Sequence, residues 1–196
     1  MGVVGSINAV PLVDWLKGRA SNLYTQFGED GLIAGCFDRI GETSRHCFEI
    51  GAADGVFFSN TLRLRDQGWL AVLIEADEKL YSKLARDFGG QSTCLHRHVT
   101  DLDSVLTITD ISRTPDLGVI DIDGQDWYLW DDLVLYRPRV MLVEIYPPDV
   151  EAGVPVRGQA GQAGLDKIEA LGVSKGYQLV ATTHCNALFV DRSALE

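Results

Sequence analysis

Residues 47–61, CFEIGAADGVFFSNT, decide the fold. Cys47, Phe48 and Ile50 form a short apolar run interrupted by Glu49, which reads as a buried strand. Gly51-Ala52-Ala53-Asp54-Gly55 then reads as a tight turn. Its two glycines permit close backbone approach, and alanine is the next smallest choice. The chain beyond can enter a helix, with Ser59 as its N-cap. In α/β proteins, strand, glycine turn and helix in this order bring backbone N–H groups against a small ligand at a strand's carboxyl end.

The acids in this stretch narrow the ligand. A dinucleotide fingerprint has the spacing G-x-G-x-x-G and a turn hospitable to pyrophosphate. Here the spacing is G-x-x-x-G, with Asp54 inside the turn and Glu49 just before it. Those charges repel phosphate and favour a ligand with a cationic amino group. S-adenosylmethionine, with a sulfonium and an ammonium at one end and adenosine at the other, fits that field. About 20 residues on, Leu70-Ala71-Val72-Leu73-Ile74 ends in Glu75, the distance at which a second strand presents an acid to ribose hydroxyls. A plain βα turn and a solubilising strand-end Glu are the bland alternatives.

FEIGAADG, then SNT, then GWLAVLIEAD resemble the FkbM-type group of S-adenosylmethionine-dependent methyltransferases. QFGEDGLIAGCFDRIG upstream is similar to that group in order and spacing, as are DLGVIDIDGQDWYLW, PRVMLVEIYP and GYQLVATTHCNALFV downstream. The match runs from Tyr24 to Arg192. Ala53 departs from it, since many methyltransferases have a second turn glycine there. The resemblance implies a Rossmann-like class I fold: a mostly parallel seven-stranded sheet with an antiparallel last strand and helices on both faces. It also implies cofactor contacts from Gln26, Glu29, Glu49, Gly51, Ala52, Asp54, Gly55, Glu75 and Asp121.

A chain of 196 residues is one domain by size. We divide it into an N-terminal arm or helix, 1–22, and a methyltransferase domain, 23–196. Its net charge of −11 disfavours nucleic acid and anionic membranes, and no Lys/Arg run offsets it. Cys36, Cys47, Cys94 and Cys185 lack metal spacing and read as reduced thiols of a cytoplasmic protein. No apolar run is long enough to span a bilayer, and no signal-peptide pattern is present. Residues Met1–Ser6 match a myristoylation pattern, which we read as chance. The expected partner is a small-molecule or glycan acceptor; a homo-oligomer is compatible with the sequence.

A leading helix is expected over Asn8–Leu16, with Pro11 in its first turn. A second carries Leu32, Ile33, Cys36, Phe37 and Ile40 on one face and stops at Gly41, with Glu29 and Asp30 favouring its dipole. Helices follow at Leu62–Leu64, from Asp77 to Gly89-Gly90, and through Trp127, Trp130, Leu133 and Val134. The last holds Leu165, Ile168, Leu171 and Val173. Further strands are expected at Ala71–Ile74, Thr93–Val99, Leu117–Ile122 and Val140–Ile145. A hairpin of Tyr177–Thr182 with Ala187–Val190 closes the sheet edge. His96 and His98 would share a strand face but read as ordinary residues. Pro147–Gly164, rich in Gly and Pro, is long enough for a lid or binding loop.

Asp121, Asp123 and Glu144 should gather at the carboxyl edge beside the glycine turn. Asp121 and Asp123 would share one face of an extended segment. Three readings stand together: a Mg²⁺ site of these three carboxylates, a metal-free general base, or structural groups, with Asp123 capping the turn. His184 is a second base candidate, and Asn186 matches an Asn frequent in the family. The expected activity is methyl transfer from S-adenosylmethionine to an oxygen nucleophile, with Asp121, Asp123 and Glu144 serving the acceptor. The alternatives are a binding or assembly module without turnover and a nicotinamide oxidoreductase, which the acidic turn disfavours.

Overall fold

The computed structural model describes residues 10–196. Seven strands form one sheet in the order β3-β2-β1-β4-β5-β7-β6. β1 (His46–Ile50), β2 (Leu70–Glu75), β3 (Thr93–His96), β4 (Leu117–Ile120) and β5 (Val140–Glu144) are parallel. β7 (Asn186–Asp191) runs antiparallel between β5 and β6 (Tyr177–Thr182). The terminal hairpin forms as expected, but only β6 occupies the edge.

Two apolar cores sandwich the sheet. Cys47, Ala71 and Leu73 point into one, with Leu84 of α4 (Glu78–Phe88) and Leu64 of α3 (Leu62–Asp66). Leu12 and Leu16 of α1 (Leu12–Leu16) join it, as do Leu32 and Ile33 of α2 (Glu29–Ile40). Phe48, Val72 and Ile74 point into the other core, which α5 (Leu102–Thr107), α6 (Asp126–Asp132) and α7 (Leu165–Ser174) cover. Alternate residues face opposite cores. The inner strands therefore read as unbroken apolar runs, because both faces are buried.

The chain builds β1, β2 and β3 outward, then returns to lay β4 on the other side of β1. That reversal leaves a crevice beyond the carboxyl ends of β1 and β4, where open α/β sheets bind ligands.

Several local expectations hold. Asp77 accepts from the amides of Lys79 and Leu80, and Gly41 and Gly89 end their helices. Others fail for identifiable reasons. β3 stops at His96, whose Nε2 meets the Ala76 carbonyl at 3.0 Å and whose ring stacks on Tyr81, so His96 and His98 share no strand face. β4 stops at Ile120, where the Gly51 turn crosses its end. Pro11 stands at the N-cap of α1 rather than inside its first turn. Val134 lies beyond α6 and is 75% exposed, and Val173 is also exposed. The Asn8 helix start and the Met1–Ser6 pattern lie outside the described residues. All four cysteines are free. Among the described residues no helix is long and apolar enough to cross a membrane.

At the amino ends of the central strands, Asp116 ties the β1 entry to β4. It is fully buried and accepts from the Thr43 amide (2.9 Å), the Thr43 hydroxyl (2.7 Å), the Arg45 amide (2.8 Å) and Arg139 Nη1 (2.9 Å). Burial pushes its pKa up, and these hydrogen bonds outweigh it, leaving the carboxyl below its usual range. Replacing it by Ala takes the shared acceptor from Thr43, Arg45 and Arg139 and is expected to cost about 2–3 kcal/mol in urea unfolding at pH 7. A depressed folded-state pKa stabilises above the unfolded value and loses that contribution as pH falls. The gap between wild type and Asp116→Ala should therefore shrink below about pH 4.

Candidate functional site

The crevice is organised by Gly51, at φ +80°. A Cβ there would overlap the backbone oxygen of Asp121, so only glycine lets β1 turn against the end of β4. The amides of Gly51 and Ala52 donate to the Ile74 carbonyl at 3.0 and 3.1 Å, and the Asp121 amide donates to the Ile50 carbonyl at 3.1 Å. Ala53, also left-handed at φ +48°, donates its amide to Glu75 Oε2 at 2.7 Å. Glu75 Oε1 accepts from the Asp77 amide at 2.7 Å. The turn and the acid at the end of β2 thus form one rigid unit.

Two cavities open from it. The first, of about 290 Å³, is lined by Gly51, Ala53, Glu75, Leu80, Val99 and Asp121, with Arg97 and His98 at its margin. The second, of about 520 Å³, shares Gly51, Ala53, Asp121 and Asp123 with it. It adds Gln26, Phe27, Glu49, Ala52, Asn60, Glu144 and His184, with Phe57 and Phe58 among its walls.

Glu49 lines this second cavity, yet both its oxygens are engaged. Oε1 accepts from the Asn60 amide (2.7 Å), and Oε2 from the hydroxyls of Ser59 (2.8 Å) and Thr61 (2.6 Å). Ser59 therefore braces Glu49 and does not cap α3, whose N-cap position falls on Thr61. Burial raises the Glu49 pKa, opposed by Thr61, Arg65, Asn60 and Ser59. Glu29 is buried and does not line either cavity. It accepts from the Phe27 amide, the Thr183 hydroxyl (2.6 Å) and Asn186 Nδ2 (3.3 Å), and so braces the segment that carries Gln26 and Phe27.

Asp54 and Gly55, expected at the cofactor, face elsewhere. Asp54 pairs with Lys83 on α4 and accepts from the amides of Val56 (2.9 Å) and Phe57 (2.8 Å). Burial pushes its pKa up, but Lys83 and these amides bring it down to about 2. A Cβ on Gly55 would strike Leu84 and Phe88, so this glycine serves helix packing.

Asp121, Asp123 and Glu144 do meet around the second cavity. Asp123 has φ +58°, so the segment is not extended and strand alternation is not what aligns it with Asp121. The Asp123 amide donates to Glu144 Oε2 at 2.8 Å, and Gln162 Nε2 bonds Glu144 Oε1. The turn cap is Asp126, not Asp123: it is buried and accepts from the amides of Ile122 (2.9 Å) and Gly124 (3.0 Å). Among the described residues no three His, Cys, Asp or Glu side chains are arranged to hold a metal ion, so the expected Mg²⁺ ligand set does not form. Burial, then Asp126 and Glu49, raises the pKa of Asp121; burial, then Asp121, raises that of Glu144. Like charges in a desolvated site share protons rather than ionise together.

His184 packs its ring on Phe27, centroids 4.9 Å apart. Asn60 is 5% exposed and lines the second cavity, and its Oδ1 has no hydrogen-bond partner among the described residues. Sequence reading missed Asp126, Asn60, Phe27 and Gln162. An acid two residues after Gly124, at a helix start, was the available signal for Asp126.

No family model and no curated protein sequence matches the chain. Solved structures do. Magnesium protoporphyrin IX methyltransferase from Synechocystis PCC 6803 with bound SAH gives TM-score 0.53 at 13% identity, covering 82% of this chain and 79% of that one. The N-terminal domain of EvdMO1, in the presence of SAH and D-fucose, gives 0.53 at 13%, covering 84% and 82%. A TehB-like SAM-dependent methyltransferase from Corynebacterium glutamicum gives 0.50 at 14%, covering 90% and 92%. The chain has the Rossmann-like fold of these methyltransferase structures, in both strand order and direction.

Ionising Asp121 in the folded protein costs stability at high pH, because its folded-state pKa is raised. Asp121→Asn should therefore raise thermal stability at pH 8, and the gain should shrink as pH falls and vanish below about pH 4, where Asp121 is protonated in folded and unfolded chains alike. A tenfold change in proton affinity corresponds to about 1.4 kcal/mol, which sets the scale of the gain. Paired thermal melts at the two pH values check it.

Proposed function

We propose that this chain is an S-adenosylmethionine-dependent methyltransferase of the FkbM type, acting on a hydroxyl of a sugar or other small metabolite. One observation carries the reading. At the switch point of the sheet, a glycine turn and Glu75 form one rigid unit beside a partly apolar cavity, and that cavity continues into one walled by carboxylates. Such a pair of spaces suits a ligand with a ribose at one end and positive charge at the other.

The residues present fit that donor. A carboxylate has about four acceptor sites, and Glu75 spends two on the amides of Ala53 and Asp77, leaving capacity for ribose hydroxyls. Ile74, Leu80 and Val99 offer an apolar wall to the base. Asn60 Oδ1, buried without a partner, and the charge of Glu49 suit an ammonium. When bound, the donor supplies an electrophilic methyl group on a positively charged sulfur.

The protein's share is alignment and proton removal. Asp121, its pKa raised towards neutrality by burial and neighbouring acids, is the base for the acceptor hydroxyl. Asp123 and Glu144 orient that acceptor. Loop 147–164 reaches the site through Gln162, whose Nε2 bonds Glu144 Oε1 and holds that carboxylate in place. The reduced thiols and the acidic surface fit a cytoplasmic protein acting on small molecules.

Titration calorimetry should show binding of S-adenosylmethionine and S-adenosylhomocysteine but not of NAD. Glu75→Ala should weaken both at least tenfold, since hydrogen bonds to a charged group contribute about 1.5–3 kcal/mol. Asp121→Asn should retain S-adenosylhomocysteine binding and lower kcat by about 10²-fold or more. In the wild type, kcat should rise with pH through the raised Asp121 pKa. Absence of heat with either donor form contradicts the reading.

A further inference from the structure

The second cavity has a wall that donor binding does not explain. Phe57 and Phe58 line it with ring centroids 3.9 Å apart and planes tilted by 41°, although they are 65% and 41% exposed. Phe58 is held at φ +53°, a left-handed conformation that costs a bulky side chain. The surrounding turn over-determines it. Asp54 accepts from the amides of Val56 and Phe57, Lys83 and Arg65 bond Asp54 and the Gly55 carbonyl, and the Ser59 amide donates to the Val56 carbonyl at 3.3 Å. Two exposed aromatic rings kept in a strained turn at a cavity mouth are costly unless they touch something.

The charge of the same cavity says what that is. Glu49, Asp121, Asp123 and Glu144 line it, and none of its described lining residues is Lys or Arg. A phosphate or carboxylate within about 4 Å of one such group meets about 1 kcal/mol of repulsion in water and about 4 in partly desolvated surroundings. Carboxylates do accept hydroxyl protons well, and aromatic faces pack against the C–H face of a saturated ring.

We infer that Phe57 and Phe58 form the acceptor platform, and that the acceptor is an uncharged or cationic hydroxylated ring, a sugar carrying no phosphate, nucleotide or carboxylate group. The assignment rests on the methyl-transfer reading and names the substrate class of that site. It also gives Asp54 its work: a positioning residue that sets the aromatic pair by clamping the backbone amides of Val56 and Phe57.

The test uses the full chain saturated with S-adenosylhomocysteine, whose binding is first measured by calorimetry. D-fucose, D-glucose and D-glucosamine are then compared with glucose 1-phosphate, D-glucuronate and UDP-glucose by saturation-transfer NMR. At least one neutral or cationic sugar is expected to bind, with every anionic one at least tenfold weaker. Phe57→Ala and Phe58→Ala should weaken that sugar at least tenfold while S-adenosylhomocysteine still binds. Asp54→Ala should weaken it likewise, and Asp54→Asn, which keeps an oxygen for the two amides, should restore most of the affinity. If the anionic sugars bind as well as the neutral ones, if no neutral or cationic sugar binds, or if the Phe variants bind sugar normally, the assignment is wrong. Failure of S-adenosylhomocysteine to bind instead overturns the methyl-transfer reading and the acceptor assignment with it.

Discussion

The backbone contact between β1 and β4 governs this molecule. Where the strand order reverses, Gly51 lies against the Asp121 carbonyl with no room for a side chain. That approach brings the first turn, the Glu75 carboxylate and the 121–126 turn to one point. Each cavity then follows from how the flanking loops leave it, Leu80 and Val99 on one side, Phe27 and His184 on the other.

Electrostatics works differently from what charge counting along the chain implies. Of the acids near the glycine turn, Asp54 is paired with Lys83 and Glu49 is held by three donors from Ser59, Asn60 and Thr61. The less compensated carboxylates belong to Asp121, just past the end of β4, and Glu144, the last residue of β5. Their mutual repulsion, with burial, keeps a proton in the site near neutrality. This is the arrangement a proton acceptor needs, and it costs folding stability.

The fold was legible because buried parallel strands write themselves as apolar runs. LAVLI and VMLV announced β2 and β5, and Gly41 and Asp77 marked helix ends. Gly51 and Glu75 were legible by spacing. Partners were not. Nothing local shows that Asp54 would find Lys83 29 positions away, or that Glu29 would be claimed by Thr183 and Asn186 across 154 and 157 positions. Asp123 was misread for another reason. Its left-handed backbone breaks the alternation on which strand-face arguments depend, and Asp126 takes the cap that Asp123 was given.

We propose that this crevice holds adenosine on Glu75 with positive charge towards Glu49 and Asp121. A crystal structure of the chain grown with S-adenosylhomocysteine tests it most directly. The ribose hydroxyls are expected on the Glu75 carboxylate, the base beside Leu80 and Val99, and the amino group near Asn60. An adenosine bound elsewhere, or the same site occupied with Glu75 turned away from the ribose, would contradict it.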